Sequence, residues 1–119
     1  MKYELTKAEE EVMQVLWELE EAFVKDLVAE FPKPRPAYNT VSTIIRILEK
    51  KKIVGHKAYG RTHMYFPLVS KEEYTKQTAD KLLNKYFSGS MEQMLSFFVK
   101  EKNISVNELE RIIDKIEKS

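Results

Sequence analysis

The sequence predicts a mainly α fold with a single small β-hairpin, and three observations predict it. Apolar residues recur at helical spacing behind four capping-box signals, Thr6/Glu9, Ser70/Glu73, Ser90/Gln93 and Ser105/Glu108. Only one pair of β-prone runs stands next to a turn signal, on either side of Gly60-Arg61. Three Gly and four Pro in 119 residues are too few for a turn-rich β-sandwich. At 43% hydrophobic and 33% charged residues the chain should fold, and its length suits one domain, or a small domain with an assembly arm.

The first helix opens at Thr6, whose oxygen can accept the amide of Glu9 while the Glu9 side chain reaches back. Ala8, Val12, Val15, Leu16 and Leu19 form its expected apolar face, and the helix runs to about Leu19. Ala22-Phe23-Val24 reads as an apolar link or a stub of strand. A short second helix carries Leu27, Val28 and Phe31 and stops at Pro32. The run Pro32-Lys33-Pro34-Arg35-Pro36 is an extended, stiff loop.

A third helix is expected over 38–51, with Val41, Ile44, Ile45 and Leu48 on one stripe. At 100° per residue, Asn39, Thr43, Arg46 and Lys50 project from the opposite side. The hairpin follows over 53–59 and 62–66, with Gly60 supplying the backbone freedom of a tight turn and Pro67 closing it. Tyr65 and Phe66 read as hairpin packing, and Trp17 and Met13 as core or interface residues. Three amphipathic helices complete the chain, broken at Ser88-Gly89 and at Asn103.

The net charge of +1 conceals a partition. Residues 1–30 balance at −6, residues 31–66 at +7 with Glu49 as their sole acid, and residues 67–119 at zero. A basic segment in a neutral chain is the footprint of a polyanion binder, against the plainer reading of lysines scattered over a solvated surface. The order helix, stub, helix, helix, hairpin is that of a winged helix-turn-helix. Its third helix has what a B-DNA major groove admits, an apolar back for its own domain and a polar, partly basic front.

On that front Asn39 can pair with adenine and Arg46 with guanine, with Thr40, Ser42 and Thr43 beside them. Lys50, Lys51, Lys52, Lys57 and Arg61 would meet phosphates, which supplies affinity without sequence information. Asn39 and Thr40 serve equally well as helix caps, and the three lysines also suit the helix dipole. His56 and His63 could face each other across the hairpin, but with no Cys and no carboxylate nearby in sequence they do not amount to a metal site.

The motifs Leu5-Thr6-Lys7-Ala8-Glu9 with Val15-Leu16-Trp17, and Tyr38-Asn39-Thr40-Val41-Ser42-Thr43 with Arg46-Ile47-Leu48-Glu49-Lys50-Lys51, resemble the penicillinase-repressor family of bacterial winged-helix regulators, the BlaI, MecI and CopY type. Gly60-Arg61-Thr62-His63-Met64-Tyr65-Phe66-Pro67 is similar to that family's wing. The resemblance covers essentially the whole chain. It implies an N-terminal winged-helix DNA-binding domain, a C-terminal dimerisation domain, and repression through a palindromic operator. In the antibiotic-responsive members it further implies a membrane sensor that triggers cutting in the tail. The matching segment here is Phe97-Phe98-Val99, with Phe97 where those members have Asn, a departure that weakens the expectation of a cut. The copper-responsive members carry a cysteine-rich motif in the tail that a chain without cysteine lacks.

The residues themselves also point to a dimer. Three amphipathic helices over 68–119 enclose too little core alone, so Leu82, Tyr86, Met94, Phe98, Leu109, Ile112 and Ile116 are expected to bury against a second copy. The plainer alternative packs that stripe on the N-terminal domain of a monomer. The expected organisation is thus a winged helix-turn-helix over 1–67 and a three-helix dimerisation region over 68–119.

The expected function is a homodimeric repressor that binds double-stranded DNA. The rival from another class is a helical interaction module whose basic middle binds an acidic partner without reading DNA. Enzyme activity is not expected, because a Gly-rich phosphate loop, a nucleophile elbow and a metal-ligand cluster are all missing from the sequence. No catalytic residue, cofactor or metal is therefore assigned. With no apolar run longer than three residues, a signal-peptide core and a membrane span are not expected, and the default is a soluble cytoplasmic protein.

Overall fold

The computed structural model describes residues 3–119, in the order α1 (Lys7–Leu19), α2 (Val24–Glu30), α3 (Tyr38–Lys50), β1 (Val54–Tyr59), β2 (Thr62–Pro67), α4 (Lys71–Phe87), α5 (Met91–Glu101) and α6 (Val106–Glu117). Every expected element is present. Two compact units divide at Gln77/Thr78.

In the first unit, α1 begins with the reciprocal cap. The Thr6 Oγ1 accepts from the Glu9 amide at 3.1 Å, and the Glu9 carboxylate accepts from the Thr6 amide at 2.9 Å. The buried face of α1 is Glu9, Val12, Met13 and Leu16, whereas Ala8 is exposed. Of the expected face, Val12 and Leu16 are buried and Val15 and Leu19 half-buried, so only Ala8 falls outside it, and Glu9 and Met13 complete the buried side. The fully buried stripe runs i, i+3, i+4, i+7 from Glu9. Glu9 sits there because Lys51, at the end of α3, supplies the opposite charge at 2.7 Å.

Ala22 forms an antiparallel bridge with Tyr65, exchanging hydrogen bonds of 2.9 and 2.8 Å, so the expected stub is a one-residue third strand beside the hairpin. Val24 already belongs to α2. The Phe23 amide donates to the Asp26 carboxylate at 3.0 Å, which satisfies an otherwise orphaned donor at that helix start. Along α3, Val41, Ile45 and Leu48 are fully buried and Ile44 half-buried, as the periodicity requires. They meet Met13 and Leu16 of α1, Leu27 of α2, and Ile53 and Val54 in one core. Burying each such side chain contributes about 1.5–3 kcal/mol.

The hairpin is antiparallel, in register from Val54↔Pro67 to Tyr59↔Thr62. Gly60 takes φ +63° in its two-residue turn, a value that would strain an L side chain.

The start of α4 belongs to this unit rather than to the tail, which is why the boundary lies beyond the expected one at 67/68. Trp17 Nε1 donates to the Val69 carbonyl at 2.8 Å and its ring lies 5.6 Å from that of Tyr74. Tyr74 donates to Glu10, and the Gln77 amide bonds the backbone of Tyr3 twice. Trp17 and Tyr74 thus fasten the first turns of α4 onto α1, while Met13 is wholly core.

The second unit holds the rest of α4 with α5 and α6. Ser90 and Ser105 cap their helices through the amides of Gln93 and Glu108. Ser88, Gly89 and Asn103 break the helices with positive φ, a conformation that suits the residue types of Gly89 and Asn103. Phe87, Phe97 and Phe98 form a ring cluster with centroids 5.6–6.5 Å apart. Among the described residues, none in this unit is buried.

Candidate nucleic-acid interface

The apolar back of α3 leaves its opposite side to solvent. Asn39, Thr43, Arg46 and Lys50, which the periodicity turns outward, are exposed; Thr40 is exposed too, and Ser42 is half-buried. Asn39 and Thr40 do not cap the helix. The N-cap residue is Ala37, with no side-chain hydrogen bond, which leaves both polar side chains unused by that role.

Two periodicities bring α3 and the hairpin together. Tyr38, Ser42 and Arg46 are four residues apart and share one edge of α3; His63 and Tyr65 alternate on one face of β2, with Arg61 in the turn before it. Together with Phe23, Val24 and Lys25 they line a cleft of about 320 Å³. Tyr65 is buried at its floor. Burial pushes its phenol pKa up, the charge of Glu49 adds to the rise, and the Arg46 guanidinium beside the hydroxyl opposes it. Phe23 meets Tyr59 edge-on at 6.0 Å, which braces the far end of β1 against the start of α2.

The remaining cations divide. Lys57 is exposed on β1, with its ammonium 6.0 Å from the Phe66 ring, and Arg61 is exposed at the turn. Lys52, just past α3, takes φ 64° and is exposed. Lys51 is held differently. Its ammonium turns back to Glu9 and, at 3.1 Å, to the Glu4 carbonyl, a structural role beside the phosphate contact its sequence position suggests. The helix ends within a turn of α1, and a buried carboxylate there captures the cation. Burial works against the charge on Glu9, but the Lys51 ammonium and the Thr6 amide outweigh it, and the carboxyl pKa falls below its ordinary value.

The histidines are arranged differently from a ligand pair. Their rings stack at 4.0 Å and 10° from parallel, so the ring nitrogens lie in parallel planes instead of converging. His56 Nδ1 is paired with the Glu49 carboxylate of α3, so the carboxylate missing from the neighbourhood in sequence is supplied in space. Sequence reasoning overlooked Lys25, Tyr38 and Glu49 in this region. Tyr38 could have been found by stepping back four residues from Ser42, whereas Lys25 and Glu49 arrive through tertiary packing, which leaves no local signal.

A helix with a polar and cationic front beside a cationic hairpin matches the sequence-level resemblance, and the comparison with known families decides it. The family model described as Penicillinase repressor matches residues 5–118. The chain belongs to the penicillinase repressor family.

Among similar proteins, the methicillin resistance regulatory protein MecI of Mammaliicoccus sciuri is 27% identical over 111 residues, which cover 92% of this chain and 90% of that protein. The penicillinase repressor of Bacillus licheniformis is 26% identical over 115 residues, covering 93% and 90%. The DNA-binding domain of the repressor BlaI, solved in solution, is similar in structure with a TM-score of 0.53 at 28% identity. That match covers 62% of this chain and 94% of the BlaI domain.

In this penicillinase repressor family member the tail displays the stripe expected to assemble it. Leu82 and Tyr86 of α4, Phe98 of α5, and Ile112 and Ile116 of α6 are exposed, while Met94 and Leu109 are half-buried. Phe97 and Phe98 lie inside α5, exposed and in regular helix. Among the described residues, no helix is long and apolar enough to cross a membrane.

Proposed function

We propose that this chain is a sequence-specific transcriptional repressor that binds a palindromic operator in double-stranded DNA as a homodimer. The observation that carries the reading is α3, whose apolar side is sealed into the core while Asn39, Thr40, Ser42 and Thr43 stand at its outward N-terminal half. Asn39 and Thr43 are the residues to meet base edges in the major groove. Lys50, Lys57 and Arg61 supply sequence-neutral attraction to phosphates. Membership of the repressor family and the likeness to the BlaI DNA-binding domain support the same reading.

The homodimer rests on residues 78–119. Three helices with no fully buried side chain among the described residues, and with Leu82, Tyr86, Phe98, Ile112 and Ile116 exposed, are a poor free-energy minimum for an isolated copy. A second copy would cover those side chains, and twofold symmetry would then repeat α3 about 34 Å away, one turn of DNA, or at a multiple of that distance. Repression needs no bond chemistry, because an occupied operator in the cytoplasm denies polymerase the promoter.

Selection of duplexes from a random pool by the intact chain tests this. The expected product is an inverted repeat bound at least about 10³-fold more tightly than random DNA. A pool that enriches nothing, or binding equally tight to all sequences, would refute the reading in favour of a basic interaction module.

A further inference from the structure

We propose that the cleft between α2, α3 and β2 is a seat for one phosphodiester of the DNA backbone, and that Arg46 is a ligand of that phosphate and not a reader of bases. The inference rests on the DNA-binding reading above and deepens it. Lys25, Arg46 and Arg61 bring three permanent cations to one cleft, with His63 beside them, from three different elements. The hydroxyls of Tyr38 and Ser42 add neutral donors on the α3 wall, and no carboxylate lines the cleft. Glu49, the sole acid of residues 31–66, is paired with His56 and lies outside the lining.

The position of Arg46 decides its role. A bidentate contact to guanine needs the guanidinium extended into the groove with two N–H edges free. Here Arg46 lines the cleft together with Tyr38 and Ser42, on the hairpin side of α3 and facing His63 and Tyr65. A base edge is planar and stacked between neighbours, so it cannot enter a cleft walled by a helix and a strand. A phosphate protrudes from the duplex and offers its oxygens in several directions, which donors converging from several elements satisfy. Cations fixed there from α2, α3 and the hairpin turn would also set the angle of the hairpin to the DNA, leaving base recognition to Asn39 and Thr43.

The test combines two scans on the duplex selected by the intact chain. Single phosphates are replaced by neutral methylphosphonates, and single base pairs are exchanged, with affinity measured by fluorescence anisotropy for the intact chain, Arg46→Ala and Arg61→Ala. Arg46 and Arg61 are exposed, and far-UV circular dichroism checks that both variants keep the fold. One methylphosphonate per half-site should weaken the intact chain about tenfold or more. The same replacement should have little further effect on either variant, and Arg46→Ala should keep the base preferences of the intact chain. If Arg46→Ala instead relaxes preference at one base pair and responds to every methylphosphonate as the intact chain does, the phosphate seat is refuted while DNA binding stands. If no duplex is enriched, the DNA-binding reading falls, and the seat with it.

Discussion

Replacing Lys51 by Met separates the structural role of this residue from the DNA contact its sequence position suggests. Lys51 Nζ lies 2.7 Å from a Glu9 carboxylate whose side chain is only 6% exposed, and the lysine side chain is itself 37% exposed. Breaking a fully buried pair costs about 3–5 kcal/mol, and breaking an exposed one about 0–1 kcal/mol. With one partner buried and the other partly solvated, and with the Thr6 amide still bonded to Glu9, the expected loss is about 2 kcal/mol.

The pH dependence has a definite sign. The Glu9 carboxyl is depressed in the folded chain, because its partners outweigh the burial that opposes its charge. Its contribution is complete above the ordinary carboxyl range and is lost as pH falls through the depressed value. Urea titrations at fixed protein concentration, at neutral pH and down the acid limb, should show Lys51→Met less stable at neutral pH and less sensitive to acid. Its affinity for DNA, measured where it remains folded, should keep the salt slope of the intact chain. Unchanged stability would refute the structural role, and a salt slope lower by about one would put Lys51 among the phosphate contacts.

Three further outcomes are expected. Leu48→Ala, at a fully buried position of α3, should lose about 3 kcal/mol in the same urea titration. Arg61→Ala should weaken binding to selected and random duplexes alike and lower the salt slope by about one, read from anisotropy at several salt concentrations. The double change Ile112→Asp and Ile116→Asp, on the exposed face of α6, should sediment as a monomer and bind the selected inverted repeat far more weakly, since the two half-sites are no longer linked.

Much of this molecule is legible because its signals are local. Capping pairs and apolar periodicity place every helix, and Gly60 between two β-prone runs places the hairpin turn. The exposed front of α3 follows from a step of 100° per residue. What escaped is long-range pairing. Glu9 reads only as a capping residue, and its burial comes from the fold, which brings Lys51 to it across 42 positions. Glu49 reads as a stray acid in a basic segment and is the partner of His56. The cleft needed Lys25 from α2 to meet a helix edge and a strand face, and neither periodicity alone shows the other. The boundary at 77/78 was hidden for the same reason: α4 looks like one helix in the sequence, and only Trp17 and Tyr74 reveal that its first turns belong with α1.

Hydroxyl-radical footprinting of the intact chain on its selected duplex tests the central claim most directly. Two copies joined through residues 78–119 and each presenting α3 should protect two equal patches on one face of the DNA, centred about 34 Å apart or at a multiple of that spacing. A single protected patch, or protection that does not repeat with the helical turn, would contradict it.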